Sequence, residues 1–120
     1  MRISPRKQEP KKQPRVPDRG NVFVAACIVA GLPPPFDEWR FDDVRLWRFD
    51  WAWPTQRIAI EIQGGIFSGG RHVRGAALLR EMEKLNAAAI LGWRILYLTP
   101  KQFAAGDAIA LVQRALGVGP

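Results

Sequence analysis

From Gly20 onward the chain is built from apolar segments whose spacing changes from one to the next. NVFVAACIVAGL at 21–32 is apolar nearly all round. It predicts a helix over Val22–Ala30, capped by Asn21, ended by Gly31 and the Pro33–Pro35 run, and buried on most faces. Phe36–Phe41 predicts a short mixed strand. In Leu46–Trp53 the odd positions Trp47, Phe49, Trp51 and Trp53 are aromatic, and Arg48, Asp50 and Ala52 take the other face. Arg57–Gln63 alternates likewise, with Ile58, Ile60 and Ile62 opposed to Ala59, Glu61 and Gln63. The four residues Pro54–Arg57 make these two strands a hairpin. Gly64–Gly75 reads as a glycine-rich loop, and Ala76–Leu91 as a helix with a core stripe of Leu78, Met82, Leu85 and Ala89, ended by Gly92. Trp93–Thr99 predicts an apolar, central strand stopped by Pro100, and Asp107–Leu116 a last amphipathic helix. Helix, three strands, helix, strand and helix in that order give an α/β domain with a mixed central sheet and flanking helices.

Composition narrows the classes of function. The chain has 120 residues, enough for one modest core. A single cysteine, Cys27, and a single histidine, His72, exclude an internal disulfide and the common zinc sites. No apolar run approaches the roughly 18 residues of a membrane span, and no apolar segment directly follows the basic N-terminus as a secretory signal would require. The formal charge is +7, unevenly placed. Residues 1–20 carry seven basic against two acidic side chains, and the other hundred residues eleven against nine. Pro5, Pro10, Pro14 and Pro17 break up the basic stretch, so 1–19 reads as a disordered arm and 20–120 as the folded domain. Such an arm, with Lys11 and Lys12 at its centre, attracts polyphosphate by counterion release or is a solvated tail.

The sharpest chemical feature is a pair of acids. A hairpin symmetric about Pro54–Arg57 puts Asp50 opposite Glu61 on one face. Unit charges about 4 Å apart repel by roughly 4 kcal/mol at an effective dielectric of about 20. A cation between them, protonation of one, or an intervening arginine relieves this. Oxygen ligands suit Mg²⁺ or Mn²⁺, which can polarise a phosphoryl oxygen. Alternatively, Arg48 or Arg57 pairs with these acids on a solvated face.

WRFDWAWP at 47–54, IAIEIQGG at 58–65, FSGGRHVRG at 67–75, EKLNAA at 83–88 and LGWRILYLT at 91–99 form an ordered series. Together they resemble a group of short phage and prophage endonucleases of the PD-(D/E)XK superfamily, related to very-short-patch-repair and junction-resolving nucleases. The resemblance covers roughly residues 36–100. It implies a restriction-endonuclease-like fold and a Mg²⁺-dependent DNA endonuclease, with Mn²⁺ as a substitute. A place in the cytoplasm of a bacterial or phage-infected cell, at the nucleoid, goes with it. Asp50 and Glu61 match the motif acids as metal ligands, and the backbone carbonyl of Ile62 would complete the shell. Gln63 stands where the superfamily's lysine usually does. Either Gln63 positions the water by hydrogen bonding, or positive charge comes from the following helix, where Lys84 is the best placed.

Other residues fall around this site. Glu81, one turn before Lys84, faces the site or forms a surface ion pair with it. Glu38 is the one convenient substitute for the extra acid that the superfamily often takes from its first helix. Asp42 and Asp43 read as turn residues. Arg71, His72 and Arg74 in the glycine-rich loop are candidates for phosphate contact. Most tryptophans read as core rather than as a base-stacking platform, Trp39 being the least decided. One site per chain means that cutting both strands would take a homodimer. The competing reading is a DNA-binding module on a nuclease scaffold that has lost catalysis, motivated by Gln63 and the basic arm.

Overall fold

The computed structural model describes residues 17–63 and 71–119. The arm residues before Pro17, including Lys11 and Lys12, and the glycine-rich residues 64–70 lie outside them. Helix α1 spans Pro17–Val29, β1 Phe36–Arg40, β2 Arg48–Trp53, β3 Ile58–Ile62, α2 Arg71–Ile90, β4 Arg94–Leu98, α3 Pro100–Ala104 and α4 Asp107–Leu116. The strands form one sheet in the order β1-β2-β3-β4. The first three are antiparallel, and β4 is parallel to β3. No helix among the described residues is long and apolar enough to cross a membrane.

The sheet is a middle layer. On one side Trp51, Trp53, Ile58, Ile60 and Leu98 pack with Phe23 and Cys27 of α1 and Ala108 and Val112 of α4. On the other, Trp39, Phe49, Ala52, Ala59 and Trp93 pack with Ala88 of α2. Three alanines, Ala52, Ala59 and Ala88, meet there, and their small size lets the end of α2 sit close to the sheet. Burying an aromatic or large aliphatic side chain contributes about 1.5–3 kcal/mol, so the first cluster carries most of the apolar stabilisation. Trp39, Trp51, Trp53 and Trp93 are all core residues. Trp47 is half-buried, with the guanidinium carbon of Arg45 4.8 Å from its ring centre.

Several boundaries and faces differ from the sequence expectation. Helix α1 spans Pro17–Val29, and Pro17 suits a first helical position where its missing N–H costs nothing, so residues 17–19, expected in the arm, belong to α1. It is not buried on most faces: Phe23 and Cys27 face the core, while Val22, Ile28 and Val29 are exposed. Strand β4 lies at an edge, not at the centre, because β3 already has β2 on its other side. Pro100 does not merely stop β4. It opens α3 behind a Thr99 cap, with Thr99 and Gln102 bonding reciprocally in a capping box. Helix α2 begins at Arg71, so Arg71, His72 and Arg74 belong to its first turns rather than to a loop. The expected stripe on α2 also fails, since Met82 is 50% exposed and Ala89 is exposed.

The aromatic alternation of β2 breaks at one residue. Trp51 and Trp53 lie in the α1-side cluster, whereas Phe49 lies with Ala52 in the α2-side cluster. Between them stands Asp50. The β1–β2 register runs Asp37↔Trp51 and then Trp39↔Phe49, so Glu38 shares the intervening position with Asp50. Glu38 has φ 50°, a left-handed backbone that a non-glycine residue adopts at a cost.

Candidate functional site

The site lies on the α2 side of the sheet, where polar side chains replace the apolar packing seen nearer Ala88. The β2–β3 register is Trp51↔Ile60, Ala52↔Ala59 and Trp53↔Ile58. Continued by one step, it sets Asp50 across from Glu61, as the symmetric hairpin predicts. The two carboxylates are held differently. Asp50 Oδ2 accepts a hydrogen bond of 2.7 Å from the backbone N–H of Ile62. Glu61 is 6% exposed and is the buried charged residue of the described chain.

Lys84 supplies the counter-charge. Its Nζ donates to Glu61 Oε1 at 2.9 Å, with both side chains largely buried, and lies 5.6 Å from the centre of the Phe49 ring. One turn earlier on α2, Glu81 Oε2 accepts from Gln63 Nε2 at 3.0 Å. The inward row of α2 thus includes Glu81, Lys84 and Ala88, two of them charged. Both polar clasps join β3 to α2, which places Gln63, Lys84 and Glu81 together with the acid pair.

The arginine alternative does not hold. Arg48 pairs with Glu38 at 3.4 Å on the surface. Arg57 donates to the carbonyl of Leu91 at 3.1 Å and lies over the Trp93 ring. The relief for Glu61 comes from α2, and its face is not solvated. Glu38, engaged with Arg48 and about half exposed, stands apart from the cluster. Asp42 is a turn residue as expected, its Oδ1 accepting from the N–H groups of Val44 and Arg45.

Charge and burial oppose each other at Glu61. Burial pushes its carboxyl up to about 7, Lys84 pulls it down, and Asp50 and Glu81 add to the rise. Its second oxygen, Oε2, is buried without a hydrogen-bond partner. An orphaned carboxylate oxygen beside a second acid is what a hard divalent cation would satisfy, so Asp50 and Glu61 fit Mg²⁺ or Mn²⁺. Among the described residues no three His, Cys, Asp or Glu side chains form a ready metal cluster. A cation here would therefore rest on two carboxylates, with a main-chain oxygen such as that of Ile62 as a third protein ligand.

Two contributors escaped the sequence reading. Phe49 lies under the Lys84 ammonium, and its parity shift hid this role. Tyr97 is the β4 partner of Glu61 in the parallel register, so the two side chains share a face. Its hydroxyl is pushed up to about 12 by burial first, then by Glu81 and Glu61. Comparison of the chain with protein families, curated proteins and solved structures finds no match.

Proposed function

We propose that the chain is a divalent-metal-dependent DNA endonuclease with a restriction-endonuclease-like fold. One observation carries the reading: a buried Glu61 with an unpartnered Oε2 stands across from Asp50 and is joined to a lysine from the next helix. A folded protein holds buried carboxylates of this kind at a cost, and such costs concentrate at working sites. The ordered resemblance of residues 36–100 to short phage-type nucleases supports the same reading.

In this proposal Asp50 and Glu61 hold Mg²⁺ or Mn²⁺, with the Ile62 carbonyl completing the protein ligands. When bound, the ion polarises the scissile phosphate and acidifies water. Asp50 is oriented by the Ile62 N–H. Lys84 fills the place of the lysine missing at Gln63, its ammonium set beside Glu61 to meet charge developing on the phosphate. Gln63, fixed through its Nε2 by Glu81, keeps its carbonyl oxygen to accept from the attacking water. Arg71, His72 and Arg74 at the start of α2, and Lys11 and Lys12 in the arm, contact DNA phosphates. Cutting both strands takes a homodimer, since each chain brings one site.

The test is cleavage of linear, nicked and branched DNA with Mg²⁺ or Mn²⁺. Wild type is expected to cut at least one form, and Asp50→Ala to lose about 100-fold or more of that rate. Equal activity in both proteins, or none on any form, ends the proposal. Salt-dependent binding without cleavage would instead favour the inactive DNA-binding module.

A further inference from the structure

The site has an unbalanced set of charges. Among the described residues, Asp50, Glu61 and Glu81 converge on it against the ammonium of Lys84. A phosphodiester brought to this surface meets carboxylates, so it must be held by hydrogen-bond donors that add no further negative charge. Among the described residues the donors on this face are few. Lys84 Nζ is engaged with Glu61, and Gln63 Nε2 with Glu81.

Tyr97 is different. Ile95, two residues earlier on β4, packs into the α2-side cluster, and Tyr97 shares its parity. The parallel register sets Tyr97 beside Glu61. The residue is 43% exposed, at the open rim of the site rather than in its floor. No hydrogen bond among the described residues engages its hydroxyl.

Resting on the nuclease reading above, we infer that the Tyr97 hydroxyl is a substrate-holding donor that bonds a non-bridging oxygen of a DNA phosphate at the rim of the acid cluster. A neutral donor suits the place. Lys84 already supplies the positive charge beside Glu61, and a phenol adds a donor there without a further charge. A tyrosine phenol ordinarily titrates at about 10, so it is a donor at neutral pH. The ring supplies the reach and the hydroxyl supplies the contact, so Tyr97→Phe separates the two.

The experiment compares full-length wild type with Tyr97→Phe. Binding of a short fluorescent DNA duplex is followed by anisotropy in Ca²⁺, and cleavage kinetics are measured in Mg²⁺. Loss of one hydrogen bond to a charged group should raise Kd and KM together by about tenfold to 100-fold. It should leave kcat within about twofold and the salt slope of binding unchanged, because no charge is removed. A Kd for Tyr97→Phe equal to that of wild type overturns the inference, as does a fall in kcat with Kd unmoved. Wild-type cleavage tests the nuclease reading separately. A wild type that binds without cutting leaves the Kd ratio readable, and one that does not bind DNA overturns both.

Discussion

Glu61 is paired with Lys84, and the behaviour of its carboxyl with pH follows from the direction of its own shift. The carboxyl goes from an ordinary 4.5 to about 7 in the fold, so the folded state holds its proton more tightly than the unfolded state does. The resulting stabilisation is fully present below about 4.5 and is lost as pH rises through about 7. Urea denaturation without divalent metal should therefore show the wild type losing stability, relative to Glu61→Gln, between those values. Parallel curves for the two proteins would contradict the burial argument. Lys84→Met removes the group that pulls the Glu61 carboxyl down, and the buried acid then has no counter-charge. The variant should be less stable than wild type by about 2–3 kcal/mol at a pH near 8, with the deficit shrinking near pH 5 as Glu61 takes up its proton. Under the proposed function its cleavage rate should fall about 100-fold, the scale for removing one group that stabilises developing charge. An equal stability deficit at both pH values would show that Lys84 serves packing rather than charge.

At the level of elements, what could be read from the sequence depended on whether the signal was local. The β2–β3 hairpin was legible because Ile58, Ile60 and Ile62 alternate cleanly and Pro54–Arg57 fixes the turn, and its register from Trp53↔Ile58 to Trp51↔Ile60 leads to Asp50 and Glu61. The face of α2 was not. A helix that presents Glu81 and Lys84 to a sheet has an inward row that hydropathy assigns to solvent, so the search for an apolar stripe selected Met82 and Ala89 instead. Tyr97 was hidden for another reason: its place beside Glu61 depends on a parallel register set across the whole β3–α2–β4 crossover. The parity shift at Asp50 needed a left-handed Glu38, which no residue preference announces. Because that glutamate is strained and turned to Arg48, Glu38→Asn should leave stability within about 0.5 kcal/mol of wild type or slightly above it, asparagine tolerating the left-handed region better. Cleavage should be unaffected, and a large loss would restore Glu38 as a ligand. Helix α3 carried a readable signal in Thr99 and Gln102, overshadowed by Pro100. Thr99→Ala should lower the unfolding free energy by about 1 kcal/mol, measured by urea denaturation.

Across the whole molecule, the proposed function assigns attraction to DNA and the chemistry to different parts of the chain. Residues 1–16 carry six basic side chains and one acid, which leaves only +2 of the total +7 for the remainder. Within that remainder, acids gather on the α2 side of the sheet, where a divalent ion would offset them. Under the proposed function, long-range attraction would depend on the basic residues 1–16, and positioning at the scissile bond on Asp50, Glu61, Gln63 and Lys84. Deleting residues 1–16 separates the two contributions. Each phosphate neutralised by a basic side chain adds about 0.9 to the slope of log affinity against log salt on duplex DNA. If the arm lies along the duplex, the truncated chain should lose about two to five units of that slope and bind more weakly at low salt. Its kcat at saturating DNA should stay within about twofold of wild type, because no group at the acid cluster has been removed. Loss of kcat together with affinity would mean that the arm helps assemble the site. An unchanged slope would make the arm a solvated tail and leave DNA attraction to the basic residues at the start of α2.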